Sequence, residues 1–269
     1  GLAHISSQGN VKVFDEDNSD LPYNRVLSLI SDTSGGIWVN CSPNGLAHLS
    51  SQGLWEVFNN SNSDLPSNSV RTFLLDGLGG IWVATNHSLS HLHYNGAWEV
   101  FNHSNSGLPK FVETLLLDTS EGIWAGTYSG GLAHISSQSN VEVFDEDNSD
   151  LPYNGIDSLL SDALGGIWIG TRGGGLVHLT SQGNWEVFDK GNSDILDNDI
   201  DFLLLDGSGG FWVGTDGSGL AHLLLIGTPE QIPSLDSPDV NITWFLNRSP
   251  FVFRKVRYIE LQRSLSKNG

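Results

Sequence analysis

The sequence predicts an all-β protein, a β-propeller of about five, or six, four-stranded blades, with a short β-rich C-terminal appendage. Leu-x-His recurs at a spacing of 43–44 residues, and Gly-(Ile/Phe)-Trp recurs at 42–44. The leucines are Leu2, Leu46, Leu89, Leu132, Leu176 and Leu220, and the tryptophans are Trp38, Trp82, Trp124, Trp168 and Trp212. Two independent markers with one period, and no segment with a helical 3.6-residue period, are typical of a propeller.

Each period predicts four short strands, A to D, as the fourth copy illustrates. Strand A is the apolar run Gly155–Asp162, which ends in a turn containing two glycines. Strand B is Ile167–Thr171, strand C is Leu176–Thr180 and strand D is Trp185–Phe188. These strands are rich in β-branched and aromatic residues, and glycine, serine and aspartate separate them. Four strands per 40–50 residues is the propeller pattern.

The repeats are predicted to occupy residues 1–226. Prolines mark a linker at 227–239, and 240–269 is expected to be a β appendage or the start of a β-sandwich, with strand-like runs at Val240–Leu246 and Phe251–Leu261. The last copy stops at strand C, near Leu225, so we expect Val11–Phe14 to be its fourth strand, which leaves Leu2–Ile5 surplus. Such closure would protect an otherwise unpaired strand edge. An arrangement of six blades stays open.

Charge restricts the classes of partner. Twelve basic and 31 acidic residues give a net charge of −19, which disfavours nucleic acids and anionic membrane surfaces. No apolar stretch approaches the roughly 18–20 residues that span a bilayer, so we expect no direct membrane insertion. The surface suits neutral polar ligands or cations.

The A–B cassette resembles the two-component regulator propeller repeat. The residues that carry the resemblance are Leu65-Pro66 and Asn68 through Asp76 and Gly80 to Trp82, and the fifth copy departs from it with Ile195-Leu196 in place of Leu-Pro. In that family, such propellers form extracytoplasmic sensor parts of membrane-bound histidine kinases, and a β-sandwich follows. The resemblance implies a ligand-sensing or protein-interaction module with a periplasmic or extracellular location.

The repeated histidines are expected to be structural. Equivalent positions of strand C on neighbouring blades lie more than about 10 Å apart at roughly 4.8 Å per strand, which is too far for one metal ion. A buried histidine bonded to the Asp that ends strand A explains the pattern better. These histidines are His4, His48, His91, His134, His178 and His222, and the aspartates are Asp32, Asp76, Asp118, Asp162 and Asp206. The cassette tryptophans are predicted core residues.

Two acidic runs, Asp15–Asp20 and Asp145–Asp150, resemble calcium loops. They lack the glycine at the sixth position and the glutamate at the twelfth that an EF-hand loop uses. Solvated acidic turns are the commoner explanation. We expect no cofactor, with weak Ca²⁺ binding as the exception.

The candidate binding site is where the copies differ while their scaffold stays the same. Strand A should line the central channel, and the D–A and B–C loops should open on one face. Early in strand A stand Leu27, Arg71, Glu113, Asp157 and Asp201, and four residues after the tryptophan stand Ser42, Asn86, Tyr128, Arg172 and Asp216, with Lys110 and Asp199 in adjoining loops. We predict a ligand site at this channel mouth, formed by Arg71, Glu113, Tyr128, Asp157, Arg172, Asp201 and Asp216.

Three functions follow. The first is a non-catalytic sensor or recognition module that binds a small polar ligand or a protein partner. An oligosaccharide is the first candidate for the small ligand. The second is a propeller-type lyase acting on a glycan or cyclic peptide, with His87 as base, Glu113 as its acidic partner, and a metal. The third is a structural repeat module that self-associates through strand edges.

Overall fold

The computed structural model describes residues 1–162, 164–207, 209–225 and 251–255. Nearly all of them lie in short antiparallel strands and the turns that join them. By contact density the chain divides into two compact units, Gly1–Asn148 and Ser149–Gly269. Repeated four-stranded sheets confirm the all-β propeller prediction.

Unit 1 contains a two-stranded sheet and three four-stranded sheets. The two-stranded sheet pairs β1 (Leu2–Ile5) with β2 (Val11–Phe14). The first sheet comprises β3 (Ser28–Ser31), β4 (Ile37–Asn40), β5 (Leu46–Leu49) and β6 (Trp55–Phe58). The second comprises β7 (Val70–Leu75), β8 (Ile81–Thr85), β9 (Ser88–Leu92) and β10 (Trp98–Asn102), followed by one helical turn, α1 (His103–Ser106). The third comprises β11 (Val112–Leu117), β12 (Ile123–Thr127), β13 (Leu132–Ile135) and β14 (Val141–Phe144).

Unit 2 contains two four-stranded sheets. The fourth sheet comprises β15 (Ile156–Ser161), β16 (Ile167–Thr171), β17 (Leu176–Leu179) and β18 (Trp185–Phe188). The fifth comprises β19 (Ile200–Leu205), β20 (Gly210–Thr215), β21 (Gly219–Leu225) and β22 (Phe251–Lys255). The predicted linker 227–239 and the predicted strand Val240–Leu246 lie outside the described residues.

The predicted closure of the last sheet is wrong. β2 pairs with β1, from Leu2 opposite Phe14 to Ile5 opposite Val11. The fourth strand of the fifth sheet is β22, from the region predicted to be an appendage, and it lies antiparallel to β21. Because β1 and β2 are adjacent in sequence, a short turn suffices to join them as a hairpin, and a hairpin closes with little loss of chain entropy.

In four of the five four-stranded sheets the turn between the first two strands has one chemistry: the aspartate Oδ1 accepts from the N–H of the glycine two residues before the cassette tryptophan. In the third sheet, Asp118 accepts from the Ser120 hydroxyl instead. In the fourth sheet, Asp162 Oδ1 accepts hydrogen bonds from the backbone N–H groups of Leu164 (2.8 Å) and Gly166 (2.6 Å). A Cβ at Gly166 would lie 2.5 Å from Asp162 Oδ2 and 2.6 Å from the Leu179 carbonyl oxygen. The glycine before the tryptophan strand is therefore required by space.

The Asp–His pairing is confirmed in all five four-stranded sheets, but of these five histidines only His178 is buried, and His4, in the two-stranded sheet, is exposed. The turn aspartate accepts a hydrogen bond from histidine Nε2 at 2.7–3.0 Å. The histidine ring stacks on the cassette tryptophan at 4.1–4.5 Å between centroids. The units are Asp32–His48–Trp38, Asp76–His91–Trp82, Asp118–His134–Trp124, Asp162–His178–Trp168 and Asp206–His222–Trp212.

Neighbouring sheets within a unit pack through two different faces. One face of each sheet carries the cassette tryptophan, and we call it the Trp face. The opposite face of strands C and D carries small and branched residues, and we call it the Ala–Val face. Between the second and third sheets, the Trp-face residues Leu74, Trp82 and Leu89 form one cluster with the Ala–Val-face residues Ala133, Ile135, Val141 and Val143. Apolar burial between sheets is therefore the main source of stability. Among the described residues, no helix is long and apolar enough to cross a membrane.

Candidate functional site

Four candidate residues are the extra residues of β-bulges. The register between β7 and β8 steps from Val70 opposite Thr85 to Thr72 opposite Ala84, which leaves Arg71 outside the ladder. The first strands of the third, fourth and fifth sheets show the same interruption, at Glu113, Asp157 and Asp201. A bulge redirects its extra side chain and is common beside functional sites. The position at which the copies differ is therefore a fixed irregularity of the backbone.

In unit 1, Arg71 connects the second and third sheets. Its guanidinium pairs with the carboxylate of Glu113, and Nη1 donates to Asn86 Oδ1 at 3.2 Å. The guanidinium also lies over the ring of Phe111, 5.6 Å from its centroid. We call Arg71, Asn86, Phe111, Glu113 and Tyr128 the arginine cluster.

Phe111 is a site residue that sequence reasoning missed. Its φ of 59° is left-handed, which a bulky residue rarely adopts. Its N–H donates to the Asn86 carbonyl at 3.1 Å, and its carbonyl accepts from the Tyr128 N–H at 2.9 Å. These bonds join the B–C loops of the second and third sheets to one strained residue. Strained residues often mark functional sites. At the position equivalent to Phe111, the other copies carry Arg25, Ser69, Gly155 and Asp199. An aromatic residue in one copy only was therefore the sequence signal that could have identified Phe111.

In unit 2, Arg172 and four aspartates form what we call the aspartate cluster: Asp157, Arg172, Asp199, Asp201 and Asp216. Arg172 Nε donates to Asp157 Oδ1 at 2.8 Å, and Nη2 contacts the same oxygen. Carboxylate oxygens of Asp157, Asp199 and Asp201 all lie within 4.8 Å of one another. The Asp216 N–H donates to the Asp199 carbonyl at 3.2 Å, which places this exposed residue beside them.

Negative charge accumulates in the aspartate cluster. The pKa of the Asp199 carboxyl is raised, first by burial and then by the charges of Asp216 and Asp157. The pKa of Asp201 is also raised, by burial and then by Asp199 and Asp216, while Arg172 opposes both shifts. The cluster thus offers several acceptors and an excess of negative charge. Its oxygens are of the type that could hold a hard cation such as Ca²⁺.

The acidic runs have a structural role in the turns after strand D. Asp15 Oδ1 accepts from the backbone N–H groups of Asp17 (3.0 Å) and Asn18 (2.9 Å). Asn59 makes the corresponding bond to Ser61 N–H at 2.9 Å without any charge. The first side chain of the run therefore caps a turn, which explains its recurrence.

The predicted partnership of His87 and Glu113 is not formed. Glu113 binds Arg71 instead, because the two bulges place these residues side by side. His87 is exposed, and its ring lies 5.7 Å from that of Phe111. Within the part of the chain that the structure describes, no hydrogen bond or ion pair joins His87 to a carboxylate.

A family comparison agrees with this reading of the cassette. Residues 64–87, which include β7 and β8, match the two component regulator propeller family. The matched residues comprise the bulged strand with Arg71, the Asp76 turn and the Trp82 strand. No curated protein matches the chain in sequence.

Solved structures share the fold of this chain. The extracellular domains of two hybrid two-component systems of B. thetaiotaomicron are each 24% identical, with TM-scores of 0.64 and 0.58. They match 79% and 73% of this chain but only 29% and 27% of their own, so the chain spans less than a third of their length. Virginiamycin B lyase of Staphylococcus aureus, in a catalytically inactive form with quinupristin, is 15% identical, with a TM-score of 0.62 over 86% of this chain and 74% of the lyase. These likenesses show the β-propeller fold.

Proposed function

We propose that this chain is a non-catalytic recognition module of a sensor that acts in the periplasm or outside the cell. Its ligand is a small polar molecule, with an oligosaccharide as the first candidate. The regulator propeller repeat at residues 64–87 supports this proposal, as does the fold shared with extracellular domains of two-component systems. A protein partner that presents similar polar groups is the second ligand class.

The observation that carries the proposal is the bulge. The same backbone interruption recurs in four sheets, while the residue it presents changes from Arg71 to Glu113, Asp157 and Asp201. A role in folding alone would favour one residue type at a repeated position, as the Asp–His pairs illustrate. Rigid strands that present different polar groups are suited to recognition.

The arginine cluster has the chemistry of a sugar site. Arg71 donates from a planar guanidinium, and Asn86 and Glu113 offer acceptors for hydroxyl groups. Tyr128 is exposed, and its backbone N–H donates to the Phe111 carbonyl. Its aromatic face can pack against the apolar face of a sugar ring. Since Arg71 already pairs with Glu113, a ligand would use the remaining guanidinium N–H groups.

The proposal is tested by a thermal-shift screen of neutral and acidic oligosaccharides, with and without Ca²⁺, followed by calorimetry. We expect Arg71→Ala and Tyr128→Ala each to raise Kd about 10-fold or more, a loss of about 1.4 kcal/mol. Melting temperature should change little, because exposed ion pairs contribute only about 0–1 kcal/mol. Tyr94→Ala is the matched control, since Tyr94 is an exposed tyrosine in a turn of the second sheet, outside the arginine cluster.

Two results would contradict the proposal. Unchanged binding in both variants would place the ligand elsewhere on the molecule. Product formation that disappears in His87→Ala would identify a lyase, the alternative supported by a shared fold and by the exposed histidine beside Phe111.

A further inference from the structure

The Trp face of the fifth sheet is exposed. Phe202 is 73% exposed and Leu204 is 66% exposed, although both belong to a strand of that sheet. Leu204 corresponds to Leu74 of the second sheet, which packs against the third sheet. Other copies carry a small hydroxyl residue where this copy has phenylalanine: Ser28, Thr72, Thr114 and Ser158. A larger apolar side chain at an exposed repeat position calls for a partner.

The outward face of the β1–β2 sheet is also apolar and exposed. The pairing of Ala3 with Val13 and of Ile5 with Val11 puts these four side chains on one face. Ile5 is 68% exposed and Val11 is 62% exposed. The equivalent residues of the third sheet form its Ala–Val face, where Ile135 is 1% exposed.

We propose that the Trp face of the fifth sheet binds the Ala–Val face of the β1–β2 sheet in a second copy of this chain. The two exposed faces repeat the residue types of an interface that the chain already forms. Leu204, Trp212 and Leu220 correspond to Leu74, Trp82 and Leu89, and Ala3, Ile5, Val11 and Val13 correspond to Ala133, Ile135, Val141 and Val143. Each face is therefore the complement of the other.

Two different surfaces in contact make this a heterologous, head-to-tail association, which produces rings or open chains of copies. The chain's net charge of −19 repels a second copy, so association should strengthen with salt, which screens that repulsion.

The experiment uses the full chain in sedimentation velocity, over a range of concentrations and between low salt and about 0.5 M NaCl. The first variant combines Phe202→Ser with Leu204→Ser, and the second combines Ile5→Ser with Val13→Ser. Each variant keeps one intact face, so each alone should be monomeric, whereas an equimolar mixture should form a 1:1 dimer. Leu164→Ser is the matched control, since Leu164 is an exposed apolar residue in a turn, and it should associate like the unaltered chain.

Several outcomes would overturn this proposal. One is an unaltered chain that stays monomeric at every concentration and salt level, and another is a mixture that stays monomeric. If only the Phe202 and Leu204 variant loses association, like faces meet and the head-to-tail pairing is wrong. Should a double variant fail to fold by circular dichroism, Phe202→Thr introduces the residue type of the second and third copies, and it should raise the dissociation constant about 10-fold or more.

Discussion

At the scale of single residues, each four-stranded sheet contains three side chains in contact with one another. The turn aspartate orients the histidine, and the histidine stacks on the tryptophan, as for Asp162, His178 and Trp168. Burial acts to raise the pKa of Asp32, but hydrogen bonds from His48, Gly36 and Ser34 outweigh it and lower the pKa to about 2. The carboxylate is thus ionised at neutral pH, and histidine Nε2 is the donor.

Trp168 should be among the side chains that contribute most to stability. It is fully buried and contacts the rings of His178, Phe188 and Phe211. Trp168→Ala should cost about 3–5 kcal/mol of unfolding free energy, as large core deletions do. Gln182→Ala, in an exposed turn of the same sheet, should stay within about 0.5 kcal/mol. Urea denaturation measures both, and equal small effects would show that the tryptophan is not core.

At the scale of elements, strand membership depends on neighbours. The β1–β2 hairpin covers the first sheet through Leu2 and Phe14, which cluster with Val39 and Ala47. Phe14 also meets Trp55 edge-on at 5.7 Å between centroids. The hairpin is therefore a partial fourth layer of unit 1.

Deletion of residues 1–14 should destabilise unit 1. Two buried side chains, Leu2 and Phe14, are lost at about 1.5–3 kcal/mol each, or about 3–6 kcal/mol in total. The exposed faces of Ala47 and Trp55 should bind a hydrophobic dye. Val11→Ser, on the outward face of the same hairpin, is the control and should leave stability unchanged. A truncated chain with an unchanged urea midpoint would show that the hairpin contributes nothing.

At the scale of the whole molecule, the same kind of four-stranded sheet occurs five times. The free energy of unfolding is therefore approximately the sum of contributions from the sheets and from the interfaces between them. The pKa is lowered by folding in Asp32, Asp76, Asp118 and Asp162, where hydrogen bonds from the turn and the histidine outweigh burial. Burial also lowers the pKa of His91, against the opposing bond from Asp76. Repeats with the same chemistry should therefore respond together to acid.

Stability should fall in two steps on acidification. Below about pH 6.5 the unfolded chain binds a proton at His91 more readily than the folded chain does, so stability falls. Between pH 3.8, the ordinary carboxyl pKa, and about pH 2, Asp32 takes up a proton in the unfolded chain before it does so in the folded chain. The stabilisation that the lowered pKa provides is therefore lost over this range. Urea midpoints from pH 7 to pH 2 measure this. Asp32→Asn should be less stable by about 1–3 kcal/mol at pH 7, and its gap to the unaltered chain should close below pH 4; a constant gap would argue against the ionised pair.

The sequence by itself determined the fold class, the strand order within the first four four-stranded sheets and the Asp–His pairing. These depend on turn chemistry and side-chain alternation over 16 residues or fewer, as between Asp32 and His48, and repetition makes the pattern visible. It also located the bulge residues, because the copies differ there.

Only the tertiary structure decided the pairing of β2 with β1, the fourth strand of the fifth sheet, the pairing of Glu113 with Arg71 rather than His87, and the place of Phe111. Strand partners at the ends of an array depend on competition between local and distant pairings, and single-sequence patterns do not rank that competition. The direction of a bulged side chain depends on backbone angles that no residue type specifies.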